Sequence, residues 1–369
     1  MGPGLSALQA DVQALAAIER GSATAGERRS AEWVAGRLGE LGAEDVRLEP
    51  FRYQHTFAHA QAIHYCAGTL AALRGSRLLA LAALVSFELE FSGRRQWLRG
   101  LLPAGEGTNV IARLPARGGC WRTVVLVAHH DAAHTGRMWD PRLTAAGDRA
   151  AARSGRRASL ALPAELAFAV AALAGRRARP LRAAAAALLA LSVALMFDQA
   201  RSPFVPGAND NASGVAGVLE LVRRLAVERP EGLEVVALGC GCEESGMGGM
   251  AAWLRSEAGA LDAATTLVVG LDTIGSGEPV VLEAEAGVWP VRYGEEQIAR
   301  GERAGLRRWR IGGWTDPALA ELAGLPAVSI LSVKNGRFPN YHLPGDVPER
   351  VDFECVERCV TAAHRIATG

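Results

Sequence analysis

The chain has 369 residues, with 40 Lys+Arg against 39 Asp+Glu and a formal net charge of +1. That balance excludes a broadly basic nucleic-acid binder and an acidic tail. Charged residues at 21% and apolar residues at 49% exclude intrinsic disorder for most of the chain. A mean hydropathy of +0.10 is high for a soluble enzyme and asks where the apolar excess sits. Lys334 is the only lysine, so the basic side is almost all arginine. The six cysteines form no CxxC pair and read as buried free thiols in a reducing compartment.

In chain order, residues 5–41 predict two helices, with apolar positions at three- and four-residue spacing and Gly42 as a left-handed C-cap. The start, MGPGLSALQADVQALAAIERG, lacks a basic stretch followed by an apolar one. The expectation is therefore no secretory signal, and a cytoplasmic or membrane-associated protein. Residues 58–92 predict an apolar helical pair around the turn RGSR. A second pair spans 158–197 within an insertion taken as 149–203. Its arms flank the basic RRARP, and they are short against the ~20 apolar residues that cross a bilayer. Glu88, Glu90 and Glu165 interrupt the arms.

Elsewhere, short β-branched runs at 123–128, 233–238, 266–271 and 327–331 predict strands apolar on both faces. Helical patterns at 213–226, 248–259, 316–324 and 352–367 lie between and after them. The expectation is one α/β domain over 1–369: a mostly parallel central sheet, helices on both faces, and the two helical insertions.

Ligands of open α/β sheets bind beyond the carboxyl ends of the strands. Strand 123–128 runs into His129-His130-Asp131, and 233–238 leads to Glu243-Glu244. Strand 266–271 ends at Asp272, and 327–331 leads through a loop to Tyr341-His342. Gly207-Ala208-Asn209-Asp210-Asn211 precedes helix 213–226. Two histidines with several carboxylates suit a divalent ion, zinc above all, and so many carboxylates suit two ions bridged by one of them. Neighbouring residues in extended backbone point apart. One of Glu243 and Glu244 can then bind metal while the other takes a proton. By the same spacing Asp131 falls on the face of His129 and is placed to orient its imidazole.

The ordered segments VVLVAHHDAAHTG, PGANDNASGVAGVLEL, EVVALGCGCEESGMGG, VVGLDTIG, WTDPALAELAGLPAVSI and YHLPGDVPERVD resemble the zinc-dependent aminopeptidases of family M28. The resemblance implies that His129 and Asp272 bind one zinc, that Glu244 and His342 bind the other, and that Asp210 bridges them. It implies Glu243 as general base, Asp131 as support for His129, and peptides cut at the free N terminus as substrates. Two departures stand out: the second apolar pair falls between His129 and Asp210, and Met250 stands where a serine is common.

Outside that set, Asp316 reads as an N-cap, His134 as a rim residue, His130 as packing, and His55, His59 and His64 as pocket or surface residues. Cys240 and Cys242 read as packing. The apolar pairs have three readings: membrane hairpins, a lid over the site, or an oligomer interface. Glutaminyl-cyclase-like acyl transfer on the same fold, and a membrane-anchored peptide-binding pseudo-peptidase, are the alternative functions.

Overall fold

The computed structural model describes residues 3–175 and 178–369, so Arg176 and Arg177 of the second basic turn lie outside the described residues. The elements in chain order begin with α1 (Pro3–Ala16), α2 (Ala25–Glu40), β1 (Glu44–Tyr53), α3 (Ala58–Arg74) and α4 (Arg77–Phe91). Next come β2 (Gly105–Leu114), β3 (Arg117–His129), α5 (Pro141–Ser154), α6 (Leu162–Leu173), α7 (Arg179–Gln199) and α8 (Ser213–Glu228). The chain continues with β4 (Glu231–Cys240), α9 (Gly248–Glu257), β5 (Thr266–Leu271), β6 (Glu278–Glu285) and β7 (Val291–Arg292). It ends with α10 (Glu295–Arg303), β8 (Arg307–Arg310), α11 (Asp316–Leu322), β9 (Ala327–Val333) and α12 (Phe353–Thr368).

The sheet runs β1-β2-β4-β3-β5-β9-β6-β7, with β8 beside β6. Its centre, β4-β3-β5-β9, is wholly parallel, and these are the four strands read from the sequence. The flanks β1-β2-β4 and β9-β6-β7 are antiparallel. The central strands are buried on both faces, which is why they read as unbroken apolar runs. Helices α1, α2, α8 and α12 cover one face, and α9 and α11 the other. In the parallel register His129 lies opposite Cys240, so the carboxyl ends of β3 and β4 are level and their loops meet.

The two apolar pairs form one four-helix bundle, closed by α3 against α4, α4 against α6, α6 against α7 and α7 against α3. It has its own core around Tyr65, Phe87, Phe168 and Leu189. Gly68 permits the α3–α6 approach: a Cβ there would stand 2.2 Å from the Phe168 ring. Two details of the sequence reading change. Of the six cysteines, Cys66 and Cys120 are exposed and four are buried. Thr315, not Asp316, is the N-cap of α11; Asp316 is the first helical residue and is buried.

Candidate metal centre

β3 ends on a buried imidazole. His129 Nδ1 lies 3.3 Å from Asp131 Oδ1, and its Nε2 faces Asp210 Oδ1 at 3.3 Å, Glu243 Oε2 at 3.8 Å and Asp272 Oδ2 at 3.9 Å. His130 points the other way along the extended chain. There its Nδ1 meets Ser30 Oγ at 2.7 Å and its Nε2 the carbonyl of Thr108 at 2.9 Å. Burial pushes its pKa down to about 4, so it packs as a neutral ring.

Asp210 sits in the irregular turn that opens α8, and its peptide bond to Asn211 is cis. The turn is pinned from three sides. The Asp346 carboxylate accepts from the amides of Asn209 (2.8 Å) and Asp210 (3.0 Å). The buried Arg20 guanidinium donates to the carbonyls of Pro206 (2.5 Å) and Gly207 (2.6 Å). Asn211 Oδ1 accepts from Gly214 and Thr273 amides, and its Nδ2 donates to the Leu271 carbonyl. Asn211 thereby couples the Asp210 turn to the strand end that carries Asp272.

The Asp210 carboxylate spans two imidazoles. Oδ1 is toward His129, and Oδ2 lies 3.1 Å from His342 Nε2, which also meets Glu244 Oε2 at 3.1 Å. Tyr341 stacks on the His342 ring at 3.9 Å, and Trp139 meets it edge-on at 4.1 Å. Glu243 and Glu244 diverge, one toward His129 and the other toward His342. The structure therefore brings all seven residues singled out in the sequence to one place. Ligand-type atoms of His129, Asp210 and Glu244 lie within 4.8 Å of one another.

The donor set fits a cation. The ring nitrogens of His129 and His342, Asp210 Oδ2 and Glu244 Oε1 are buried without a well-aligned hydrogen bond, although carboxylates stand 3.1–3.3 Å from both rings. Such groups are costly to bury unless something binds them. Six carboxylates (Asp131, Asp210, Glu243, Glu244, Asp272 and Asp316) crowd two imidazoles. Burial, with Glu244, Asp272 and Asp316 around it, pushes the Glu243 carboxyl well up, although His129 opposes the rise. Burial likewise raises Asp272. Burial works against a charge on His342, yet Glu244 and Asp210 carry its pKa up to about 9. Burial opposes the Asp210 charge too, and the two imidazoles override it and hold the carboxyl far below its ordinary range. Protons and a cation thus compete for the same atoms.

The remaining candidates stand outside this group. His134 bonds the Ser202 carbonyl and stacks on Phe204. His55 meets the Ser22 carbonyl, and His64 lies in the bundle between Ala60 and Ser86. Cys242 donates its thiol to the buried Glu27, whose carboxylate also accepts from the amides of Ala23, Thr108 and Cys242. Sequence reasoning missed Ser22, which donates to Asp131 at 2.6 Å, and also Arg20, Asp346 and Trp139. Asp346 lay within a quoted segment; the others carry no local signal.

A cavity of about 380 Å³ opens on the centre. Glu243, Glu244, Asp272 and His342 line its floor. Its wall comes from the bundle and the segment before it: Tyr65, Met138, Leu160, Leu188, Leu195 and Met196 among others.

Comparison with known proteins bears on this centre. Residues 193–367 match the model of peptidase family M28. A curated relative from Leptosphaeria maculans, named a probable zinc metalloprotease, is 37% identical over 132 residues, which cover 33% of this chain and 28% of that protein. The fold is similar to an aminopeptidase from Aneurinibacillus sp. strain AM-1, with TM-score 0.60 and 13% identity over 98% of this chain and 92% of that one. It is also similar to a Bacteroides thetaiotaomicron glutaminyl cyclase, with TM-score 0.56 and 14% identity over 99% of this chain and 97% of that one.

Proposed function

We propose that this chain, whose residues 193–367 match the model of peptidase family M28, is a zinc-dependent exopeptidase that removes N-terminal residues from peptides. The observation that carries the reading is the Asp210 carboxylate set between two buried imidazoles that make no well-aligned hydrogen bond, with Glu243 facing the first. His129, Asp210 and Asp272 would hold one zinc, and Asp210, Glu244 and His342 a second. Bound there, zinc supplies Lewis acidity toward a peptide carbonyl and lowers the pKa of water.

The chain's own groups do the rest. Glu243 takes the proton of the attacking water and returns it to the leaving amine, a task suited to a carboxyl raised by burial. Asp131 fixes the ring and tautomer of His129. The apolar wall of the cavity favours substrates whose N-terminal side chain is large and apolar.

Hydrolysis of a panel of aminoacyl-nitroanilides, with and without chelator, tests the reading. Leucyl and phenylalanyl substrates should be cut, and chelation should abolish cleavage. Cyclisation of an N-terminal glutaminyl peptide without nitroanilide cleavage would instead assign acyl transfer on this fold.

A further inference from the structure

The exterior of the four-helix bundle differs from the charged outer faces of α10 and α12. Helices α10 and α12 turn Glu295, Glu296, Glu302 and Arg303, and Glu354, Arg358 and Arg365, to the surface. On α3, α4, α6 and α7 the exposed Asp, Glu, Lys and Arg residues, among those described, are Arg74, Arg77 and Arg179 alone. The acidic residues that interrupt the arms in the sequence face inward: Glu88, Glu90 and Glu165 are all buried. Glu90 is paired with Arg99 at 3.4 Å. The outward positions are leucine, alanine and valine, among them Leu70, Leu73, Leu78, Leu81, Leu173 and Leu181, with Leu78 79% and Leu173 74% exposed. Soluble monomers rarely leave so continuous an apolar surface uncovered.

Both ends of this belt are marked. At the tip, the α3–α4 turn meets the start of α7. Arg77 Nε bonds the Ala172 carbonyl of α6 at 2.9 Å, and the Arg182 guanidinium lies over Gly75, where a Cβ would stand 1.8 Å from it. Gly75 also has φ +69°, so glycine is required twice over. Arg74, Arg77, Arg179 and Arg182 thus gather at one end. At the other end the exposed Trp97 donates its indole N–H to Ser86 of α4. The exposed Trp289 lies there under Arg94, with the guanidinium 4.4 Å from the ring. Helix α7, at 21 residues, is long and apolar enough to cross a membrane, and only 22% of its apolar window is buried inside the molecule. At 1.5 Å per residue it reaches about 31 Å, close to the ~30 Å hydrocarbon core.

We propose that the bundle is embedded in a phospholipid bilayer, with the arginine cluster at its tip against anionic headgroups and Trp97 and Trp289 at the opposite interface. An apolar belt bounded by arginines at its tip and by tryptophans with Arg94 at its base is the pattern a bilayer selects. Arginines on long stems let the three shorter helices reach the headgroup level. Both ends of each helical pair return to the catalytic side, so the α/β domain stays in water.

The test uses the full, zinc-loaded chain. It is floated with vesicles of phosphatidylcholine alone and of phosphatidylcholine with phosphatidylglycerol, and its tryptophan quenching by brominated lipid is followed. The chain should float with both, preferring the anionic vesicles. The joint substitution of Arg74, Arg77, Arg179 and Arg182 by Gln should cut that preference roughly tenfold or more. Leu73→Ser with Leu78→Ser and Leu173→Ser should abolish flotation while circular dichroism stays unchanged. Should that variant misfold, quenching in the wild type that falls with Trp97→Phe and Trp289→Phe carries the same test. A wild-type chain that stays at the bottom of the gradient with both vesicles overturns the proposal. So does a lipid-free dimer by light scattering that the leucine substitutions dissociate, since a second copy would then cover the belt.

Discussion

The carboxylate of Asp131 is shared between His129 and the backbone of Glu244: Oδ1 lies 3.3 Å from the imidazole Nδ1, while Oδ2 accepts the Glu244 amide at 3.1 Å. Oδ1 also accepts the Glu243 amide, and Ser22 donates to Oδ2. One buried group therefore sets the ring of a metal ligand and the turn that carries both glutamates. Asp131→Asn would put an amide where these N–H donors point. Zinc affinity should fall roughly 10–100-fold. Chelator competition measures it, and kcat should fall even at saturating zinc because the Glu243 turn moves as well.

Glu243 makes the opposite prediction for metal. Glu243→Gln keeps size and removes the proton acceptor, so kcat should drop about 10²–10⁴-fold. Zinc content, measured by elemental analysis, should remain that of the wild type.

Asp210 spans both imidazoles. Purified wild type should carry about two zinc ions per chain. Asp210→Ala should lose both together, with cleavage, rather than one. A variant that retains one ion and partial activity would show that the carboxylate does not bridge.

Leu195 lies on the bundle face that walls the cavity. Leu195→Ala should lower kcat/KM for leucyl substrates about tenfold, through KM, while alanyl substrates change little. Equal losses on both would place the apolar subsite elsewhere.

Glu220 of α8 is buried and accepts from Arg223 at 2.7 Å and Arg224 at 2.8 Å, and Arg224 reaches Glu357 of α12 at 2.6 Å. Burial raises the Glu220 carboxyl, but the two guanidiniums more than offset this and hold it below its ordinary 4.5. A depressed carboxyl contributes stability above its unfolded pKa and loses it as pH falls through the folded value. Urea midpoints from pH 7 to pH 3 should show Glu220→Gln destabilised by about 1–2 kcal/mol at pH 7. The gap to wild type should close toward pH 3.

The central strands were legible because a strand covered on both faces must be apolar throughout. The antiparallel flanks were not: β1, with its mixed burial, carries no run to mark it. Glu243 and Glu244, Asp272 and His129 were legible because they follow those runs directly. Ser22, Arg20 and Trp139 were not, since each reaches the centre from an element remote in the chain and looks locally like an ordinary polar or aromatic residue.

The sequence by itself determined which strands carry the centre and which donors stand at their ends, because strand periodicity and position at a carboxyl terminus are local properties. Only the tertiary structure decided that Asp210 lies between His129 and His342 despite the bundle inserted before it. Only it decided that the two apolar pairs make one bundle, with their glutamates turned inward and their leucines outward. Those outcomes depend on which surfaces pack together. The helices' apolar residues run almost all round, so periodicity leaves their inward face undefined until the neighbours are in place.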